Sequence, residues 1–363
     1  MENTICSNFL NRRNQHSTAY AFKAQKKWQK VSWSDLFKST ELIACGLKKL
    51  GLKEQDKVII LSDTRPEWLI TDMAIMGLKA VTVPVYQSSR HEDLEYIANH
   101  SEACFLFCEN KKQYKKWQKV SKNCPTVKQV VVFDSRNIEA ADNVVCYHEL
   151  QNIGQDYFQD HPNEFHQSCN QVKLKDPASI IYTSGTTGLP KGVLLTHEQF
   201  MNEMQTTFGE FEVGSQDRSL IFLPMAHVLG RVEALGAIYT GFSLYFATSI
   251  ERIPENLLEV KPTVMVAVPR IFEKIYQKMQ SKLASNSALK LMFKQAKSTA
   301  YSWSKAKMNN KPVDAKTKIM YKVFYQMIFK KVNKAFGGNI RFVIQVELPF
   351  LRSSVISFWP VKF

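Results

Sequence analysis

"YTSGTTGLPKGVLLTH" occupies residues 182–197. Between Thr183 and Gly192 it packs three threonines, one serine, three glycines and one lysine, with an apolar run on either side. The order predicts a strand, a glycine-rich turn, a second strand and the start of a helix. Small residues such as Gly185 and Gly188 let backbone N–H groups approach an oxygen-rich anion closely. The hydroxyls of Thr183, Ser184, Thr186 and Thr187 add donors, and Lys191 adds a positive charge. Such a loop suits a di- or triphosphate. The competing reading is a flexible hairpin turn with a solvated lysine. The stretch does not fit the G-x-x-x-x-G-K-S/T pattern, because the glycine spacing differs and Gly192 follows Lys191.

Outward from this stretch, the first half of the chain alternates short strand patterns with helical ones. Strands are predicted at 56–61, 80–86, 103–108 and 129–134, and helices at 66–80, with Pro66 in the first turn, and at 90–100. This is the rhythm of an α/β fold with a largely parallel sheet. The polar stretch 135–176 reads as a connecting region on the surface. C-terminal to the glycine-rich turn, "RSLIFLPMAHVLGRVEALGAIYTG" predicts a strand, a loop holding His227 and a helix. "PTVMVAVPRIFEKIYQKM" predicts a strand, a turn at Pro269 and a long helix.

The 363 residues are enough for a sizeable core and more than one lobe. With 45% apolar and 22% charged residues, the composition excludes a disordered chain. "MENTICSNFLNRRNQ" at the start has no apolar stretch before a cleavage site, so no secretory signal is expected. No apolar run is long enough to span a bilayer. Seven scattered cysteines suggest free thiols in a reducing, cytoplasmic setting. The net charge of +15 sits almost wholly in one segment: residues 271–336 hold fifteen lysines against Glu273 and Asp314. There Ile319, Met320, Val323, Phe324, Met327 and Ile328 repeat at helical spacing and predict a buried apolar face. That segment is either a solvated face on packed helices or an amphipathic surface for anionic lipid on the inner membrane face. No nucleic-acid module accompanies the charge, and no nucleic-acid partner is expected. His161, His166 and Cys169 fit no four-ligand zinc framework and read as solvated loop residues.

The stretch 182–197 closely resembles the phosphate-binding signature of the AMP-forming acyl-CoA synthetases, the adenylate-forming superfamily. "LPMAHVLGR" (223–231), "VAVPRIFEKIY" (266–276) and "SDTRPEWLITDMAIMGLKAVTVPVY" (62–86) resemble further motifs of the family. The context of His227 and the helical insertion at about 271–336 look most like long-chain fatty-acid–CoA ligases. The resemblance implies the N-terminal part of the adenylate-forming fold, with layered sheets and flanking helices. It implies residues 1–176 as a first subdomain, 177–344 as a second that bears the phosphate loop, and 345–363 as a tail outside the family pattern. It further implies activation of a long-chain fatty acid by ATP to acyl-AMP, then transfer to CoA, with magnesium bridging phosphate oxygens. Thr183, Ser184, Gly185, Thr186, Thr187, Gly188 and Lys191 would hold the phosphates, with Thr183 also at the metal. His227 would sit beside the acyl carboxylate or α-phosphate; the alternative is a helix-capping or core histidine. Arg231 and Arg270 read as ion-pair partners rather than catalytic groups.

The pattern breaks after Ile344. The family continues with Ser-Gly-Gly-Ala-Pro-Leu, whereas this chain reads "QVELPFLRSSVISFWPVKF". Deleting one base from codons for the family motif yields Ile-Gln-Val-Glu-Leu-Pro, the residues at 344–349. The expectation is a truncated, frameshifted member without the small C-terminal domain. The rival to an active ligase is then a non-catalytic remnant, or a basic membrane-surface or nucleotide-binding protein.

Overall fold

A computed structural model of the chain describes residues 2–139, 141–183, 189–209, 212–267, 287–309 and 311–345. The fold is mixed α/β, and the chain divides into two compact units. One comprises Met1–Gln216 with Ile221–Phe246; the other comprises Asp217–Leu220 with Ala247–Phe363.

In chain order, the elements of the first unit begin with α1 (Ile5–Leu10), β1 (Thr18–Ala24), β2 (Lys27–Ser32), α2 (Trp33–Lys49), β3 (Lys57–Leu61) and α3 (Pro66–Gly77). They continue with β4 (Val81–Val85), α4 (His91–Ser101), β5 (Phe105–Asn110), α5 (Lys111–Gln118), β6 (Gln129–Asp134) and β7 (Val144–Cys146). Next come α6 (Tyr147–Asp160), α7 (Glu164–Gln171), β8 (Pro177–Thr183), β9 (Lys191–Thr196) and α8 (His197–Phe208). The second unit's β10 (Arg218–Ile221, with Ile221 in the first) comes next in the chain, and α9 (Val228–Thr240) and β11 (Ser243–Phe246) complete the first unit.

The main sheet has the order β7-β6-β5-β3-β4-β8-β9. All its strands run parallel except β9, which returns antiparallel beside β8. The central strands β3 and β4 are apolar on both faces and buried along almost their whole length, as a strand covered by helices on both sides must be. Ile59, Leu61, Val83, Val85, Leu106, Val130 and Val132 form one side of this core with Leu94 and Trp117 from the helices. Helix α3 opens with Pro66 at its start and is buried from Trp68 to Gly77, which makes it a core helix rather than an amphipathic one. Separately, β1 carries β2 antiparallel on one side and β11 parallel on the other.

The strands and helices predicted between 56 and 134 are present as β3, α3, β4, α4, β5 and β6. The surface connection expected at 135–176 is instead largely helical, as α6 and α7. Tyr147, Leu150, Phe165 and Cys169 are its buried anchors, sparse among polar neighbours. Gly154 lets α6 lie directly on α2: a Cβ there would sit 1.8 Å from the Leu42 carbonyl oxygen. Few apolar positions suffice when two helices approach at backbone distance, so the polar composition concealed the packing.

A buried ionic cluster ties the first unit together. Arg231 of α9 and Asp72 of α3 are both wholly buried. Arg231 Nε donates to Asp72 at 2.9 Å and Nη2 at 2.6 Å, and Nη1 donates to the Ser179 hydroxyl. Thr82 Oγ1 donates to the same carboxylate at 2.7 Å, and Ser179 Oγ donates to the Thr82 carbonyl at 2.7 Å. The guanidinium also lies 5.0 Å from the Phe200 ring centre and 5.7 Å from that of Trp68. Burial pushes the Asp72 carboxyl up, while the guanidinium and the Thr82 hydroxyl pull it back. The ion-pair role expected of Arg231 is therefore its role.

In the second unit, α10 (Ile253–Val260) precedes β12 (Val264–Ala267), and β13 (Phe342–Gln345) pairs parallel with β12. Between them lie α11 (Ser287–Met308), α12 (Ala315–Phe324), a π-helical turn at Tyr325–Phe329 and α13 (Lys330–Ala335). Trp303 stacks on Tyr321 with ring centres 4.5 Å apart, and Phe324, Ile328 and Ala296 form a small core with Met292, Phe293 and Met320. The apolar face expected at 319–328 is thus split. Met320, Phe324 and Ile328 pack inward, while Ile319, Val323 and Met327 are 64%, 45% and 46% exposed.

Replacing Arg231 by Met strands the Asp72 carboxylate in the core and should cost about 3–5 kcal/mol of unfolding free energy in urea denaturation. Replacing both partners by apolar residues, as in Asp72→Leu with Arg231→Met, should cost less than Arg231→Met alone.

Candidate functional site

The strands and helix expected at 182–197 are present: β8 ends at Thr183, β9 starts at Lys191, and α8 starts at His197. Thr183 and Lys191 face each other as the last cross-strand pair of the hairpin, and both are exposed. Ser184, Gly185, Thr186, Thr187 and Gly188 lie outside the described residues, as does Arg270. Thr196 caps α8 by accepting from the Gln199 amide, with the Gln199 side chain reaching back to the Thr196 amide at 2.8 Å.

Strand β4 runs parallel to β8, with Thr82 opposite Ser179. Both strands therefore deliver their C-terminal ends, Tyr86 and Thr183, to one edge of the sheet, where open α/β sheets bind ligands. His227 is at that edge as well. Its ring centre lies 6.4 Å from that of Tyr86, edge to face. The loop that carries it is fastened by Thr64, whose hydroxyl donates to the Leu223 carbonyl at 2.8 Å and accepts from the Met225 amide at 3.0 Å. Thr64 and Tyr86 lie in the motif at 62–86, but nothing in their residue types marked them as supports for His227.

His227 is the N-cap of α9, and its Nδ1 accepts from the Leu229 amide at 3.2 Å. Burial holds its imidazole below the ordinary histidine value. A neutral ring with Nδ1 engaged as acceptor carries its proton on Nε2. The capping role and the site role raised from the sequence are thus compatible, since the cap sets the tautomer and leaves Nε2–H as a donor. Such a donor suits an anionic oxygen.

No group of three His, Cys, Asp or Glu side chains arranged to hold a metal occurs among the described residues. The resemblance places the Thr183 hydroxyl at magnesium, an ion that keeps several waters and takes substrate phosphate oxygens as ligands. His161 is exposed and stacks on Tyr157 at 4.2 Å, but His166 and Cys169 lie in α7 and Cys169 is buried, so the reading of all three as solvated loop residues holds for His161 alone. All seven cysteines are free thiols. Among the described residues, no helix is long and apolar enough to cross a membrane.

The sequence matches the AMP-binding enzyme family over residues 9–322. The chain belongs to that family. It is 32% identical over 324 residues to the long-chain-fatty-acid–CoA ligase FadD15 of Mycobacterium bovis, covering 89% of this chain and 52% of that protein. It is 29% identical over 328 residues to the long-chain-fatty-acid–CoA ligase ACSBG2 of Xenopus laevis, covering 88% and 44%. The chain thus spans about half the length of the curated relatives it matches. In fold it is similar to the adenylation domain of a Mycobacterium chelonae carboxylate reductase, with a TM-score of 0.67, 17% identity, and 95% of this chain and 54% of that one covered. ATP-bound MatB of Rhodopseudomonas palustris is similar at a TM-score of 0.63 and 19% identity, covering 76% and 51%. The long-chain ligase resemblance read from the motifs agrees with the FadD15 and ACSBG2 matches.

One residue of the stretch escaped sequence reading. His197 is wholly enclosed, near Asp176 and Arg231, and burial pushes its imidazole down to about 4. Its unfolded counterpart binds a proton near the ordinary value of about 6.5, which the folded ring refuses. The contribution to stability is full above about pH 6.5 and is lost as pH falls toward 4, by up to about 1.4 kcal/mol per pH unit. Urea midpoints measured across that range should show this slope, and His197→Asn should flatten it.

Proposed function

We propose that the chain carries the ATP-binding and carboxylate-binding part of an AMP-forming long-chain fatty-acid–CoA ligase. The observation that supports this most is the pairing of Thr183 with Lys191 at the sheet edge that also carries Tyr86, with His227 against Tyr86. In the first step a carboxylate oxygen of the fatty acid attacks the α-phosphorus of ATP. The bond to the bridging oxygen breaks, and pyrophosphate leaves as acyl-AMP forms. In the second step the CoA thiol sulfur attacks the acyl carbon, AMP leaves and the thioester forms.

Lys191 and Thr183 take the phosphate oxygens and stabilise the charge that moves onto pyrophosphate. Their backbones pair across the hairpin, which limits the reorganisation needed as that charge develops. His227 donates from Nε2 to the carboxylate or α-phosphate oxygen and orients the attack. It is not a base here, since the attacking carboxylate is already ionised at neutral pH. Magnesium, when bound, would neutralise phosphate charge, with the Thr183 hydroxyl beside it. The Ser-Gly-Gly-Ala-Pro-Leu continuation that the resemblance leads one to expect does not occur in residues 1–363, and the roles proposed for this stretch are binding roles.

With residues 1–363, magnesium and ATP, the expected result is nucleotide binding that weakens about 10- to 100-fold in Lys191→Ala, the loss of one charged hydrogen-bonding group. A folded chain that binds ATP no better than this variant overturns the proposal. ATP–pyrophosphate exchange that depends on palmitate, above the level of the variant, would locate adenylation within residues 1–363. Binding without exchange would favour a non-catalytic remnant.

A second reading rests on α12 and the turn after it. Ile319, Val323 and Met327 stand exposed at four-residue spacing, beside exposed Lys316, Lys318 and Lys322. Apolar side chains beside lysines suit a surface of anionic lipid, the medium of a long-chain substrate. Cosedimentation with phosphatidylglycerol vesicles should fall with added salt and should be lost on replacing the three apolar residues by serine.

A further inference from the structure

The strand ends that flank the phosphate loop are braced by a helix to which no role has been given. His100, in the last turn of α4, places Nδ1 2.7 Å from the Tyr182 hydroxyl. Tyr96, one turn earlier, stacks on the His100 ring at 5.4 Å and meets the Tyr182 ring edge to face at 6.4 Å. The His100 and Tyr182 rings are 5.6 Å apart and nearly perpendicular. Tyr182 is therefore gripped by a hydrogen bond at its tip and by two rings along its side.

Across the hairpin, Tyr182 pairs with Gly192, and the next pair is Thr183 with Lys191. The Tyr182 ring covers Gly192 so closely that a Cβ there would come within 3.2 Å of Tyr182 Cζ and 2.9 Å of Ile180 Cγ2. The absence of a side chain at Gly192 lets the ring lie flat across β9 one residue from Lys191. Strand β9 is the outer strand of the sheet among the described residues, with a partner on one side only. An edge strand of this kind relies on side-chain packing to hold its end. Burial keeps the Tyr182 phenol protonated, at about 12, so it remains available to hydrogen-bond His100.

We propose that Tyr182, held by His100 and Tyr96, is a positioning residue that fixes the spacing of Thr183 and Lys191 across the hairpin mouth. A ligand with several phosphate groups must meet both residues at once. A mouth that opens and closes pays an ordering cost on each binding event, and a braced mouth does not. The proposal rests on the phosphate-binding reading given above for its functional consequence. The bracing itself is independent of any ligand.

The test uses residues 1–363 with Tyr182→Phe, His100→Ala, His100→Gln and the Tyr182→Phe/His100→Ala pair. The first readout is amide hydrogen exchange in peptides covering 177–183 and 191–196, without nucleotide. The second is ATP affinity, and the third the urea midpoint. Tyr182→Phe and His100→Ala should each speed exchange in those peptides and weaken ATP binding three- to tenfold. The urea midpoint should stay within error. The pair should lose little more than either single change, because both break the same contact. His100→Gln, which can still bond the phenol, should recover most of the affinity.

Wild-type affinity and exchange in Tyr182→Phe and His100→Ala overturn the proposal, and a tenfold loss in Lys191→Ala in the same series would leave the phosphate reading standing. If the wild-type chain binds no ATP, the phosphate reading falls alone; faster exchange in the variants then sustains the brace, and unchanged exchange overturns it. Should His100→Ala fail to fold, Tyr182→Phe decides, since it removes one oxygen and keeps the ring.

Discussion

The first unit depends on a charge pair placed where no water reaches. Arg231 and Asp72 are both fully buried, and each would be strongly unfavourable there alone. Paired, they specify which elements must come together. Asp72 brings α3, Arg231 brings α9, Thr82 and Ser179 bring β4 and β8, and Phe200 brings α8 over the guanidinium. An apolar contact of the same size would tolerate sliding. A fork of N–H donors meeting a carboxylate and a hydroxyl does not, because a shift of one residue leaves a buried donor unsatisfied. The register of β4 against β8, and hence the common edge of Tyr86 and Thr183, follows from that requirement.

The same economy of roles recurs at the edge. His227 closes the first turn of α9 with Nδ1, and that bond decides which nitrogen keeps the proton. A side chain that looked structural or functional, depending on which motif was consulted, is structural in a way that prepares a donor. Thr64 serves the loop that carries His227 with both its donor and its acceptor. Tyr182 is exposed enough to belong to the mouth yet packed enough to be held by α4. His227 and Tyr182 are thus backed by contacts from the helices and strands beneath them.

Much of this was legible from residue order. The strands β3, β4 and β6 announced themselves as short β-branched runs, β5 as an apolar run with two phenylalanines, and α3 by its proline start and continuous apolar character. The strands on either side of 184–188 and the helix start at His197 were legible from the apolar runs that flank the glycine-rich stretch. Helices α6 and α7 were not legible, since their anchors are few and Gly154 replaces apolar bulk with backbone contact. The helices after residue 287 were legible as helices but not as to facing. The periodic stripe from Ile319 to Ile328 is wider than the core available to it, so half of it points outward. Period reports that a face exists, and not how much of it a neighbour covers.

Sequence alone carried the family and the α/β class, because those properties reside in local residue types and spacing. It could not carry the partners of Arg231, the tautomer of His227, the neutrality of His197 or the bracing of Tyr182. Each of these depends on groups that lie distant in the chain or on the withdrawal of water from a side chain. Desolvation and long-range hydrogen bonding arise only once the chain has closed on itself, and they turned a list of suitable side chains into a site with assigned donors and acceptors.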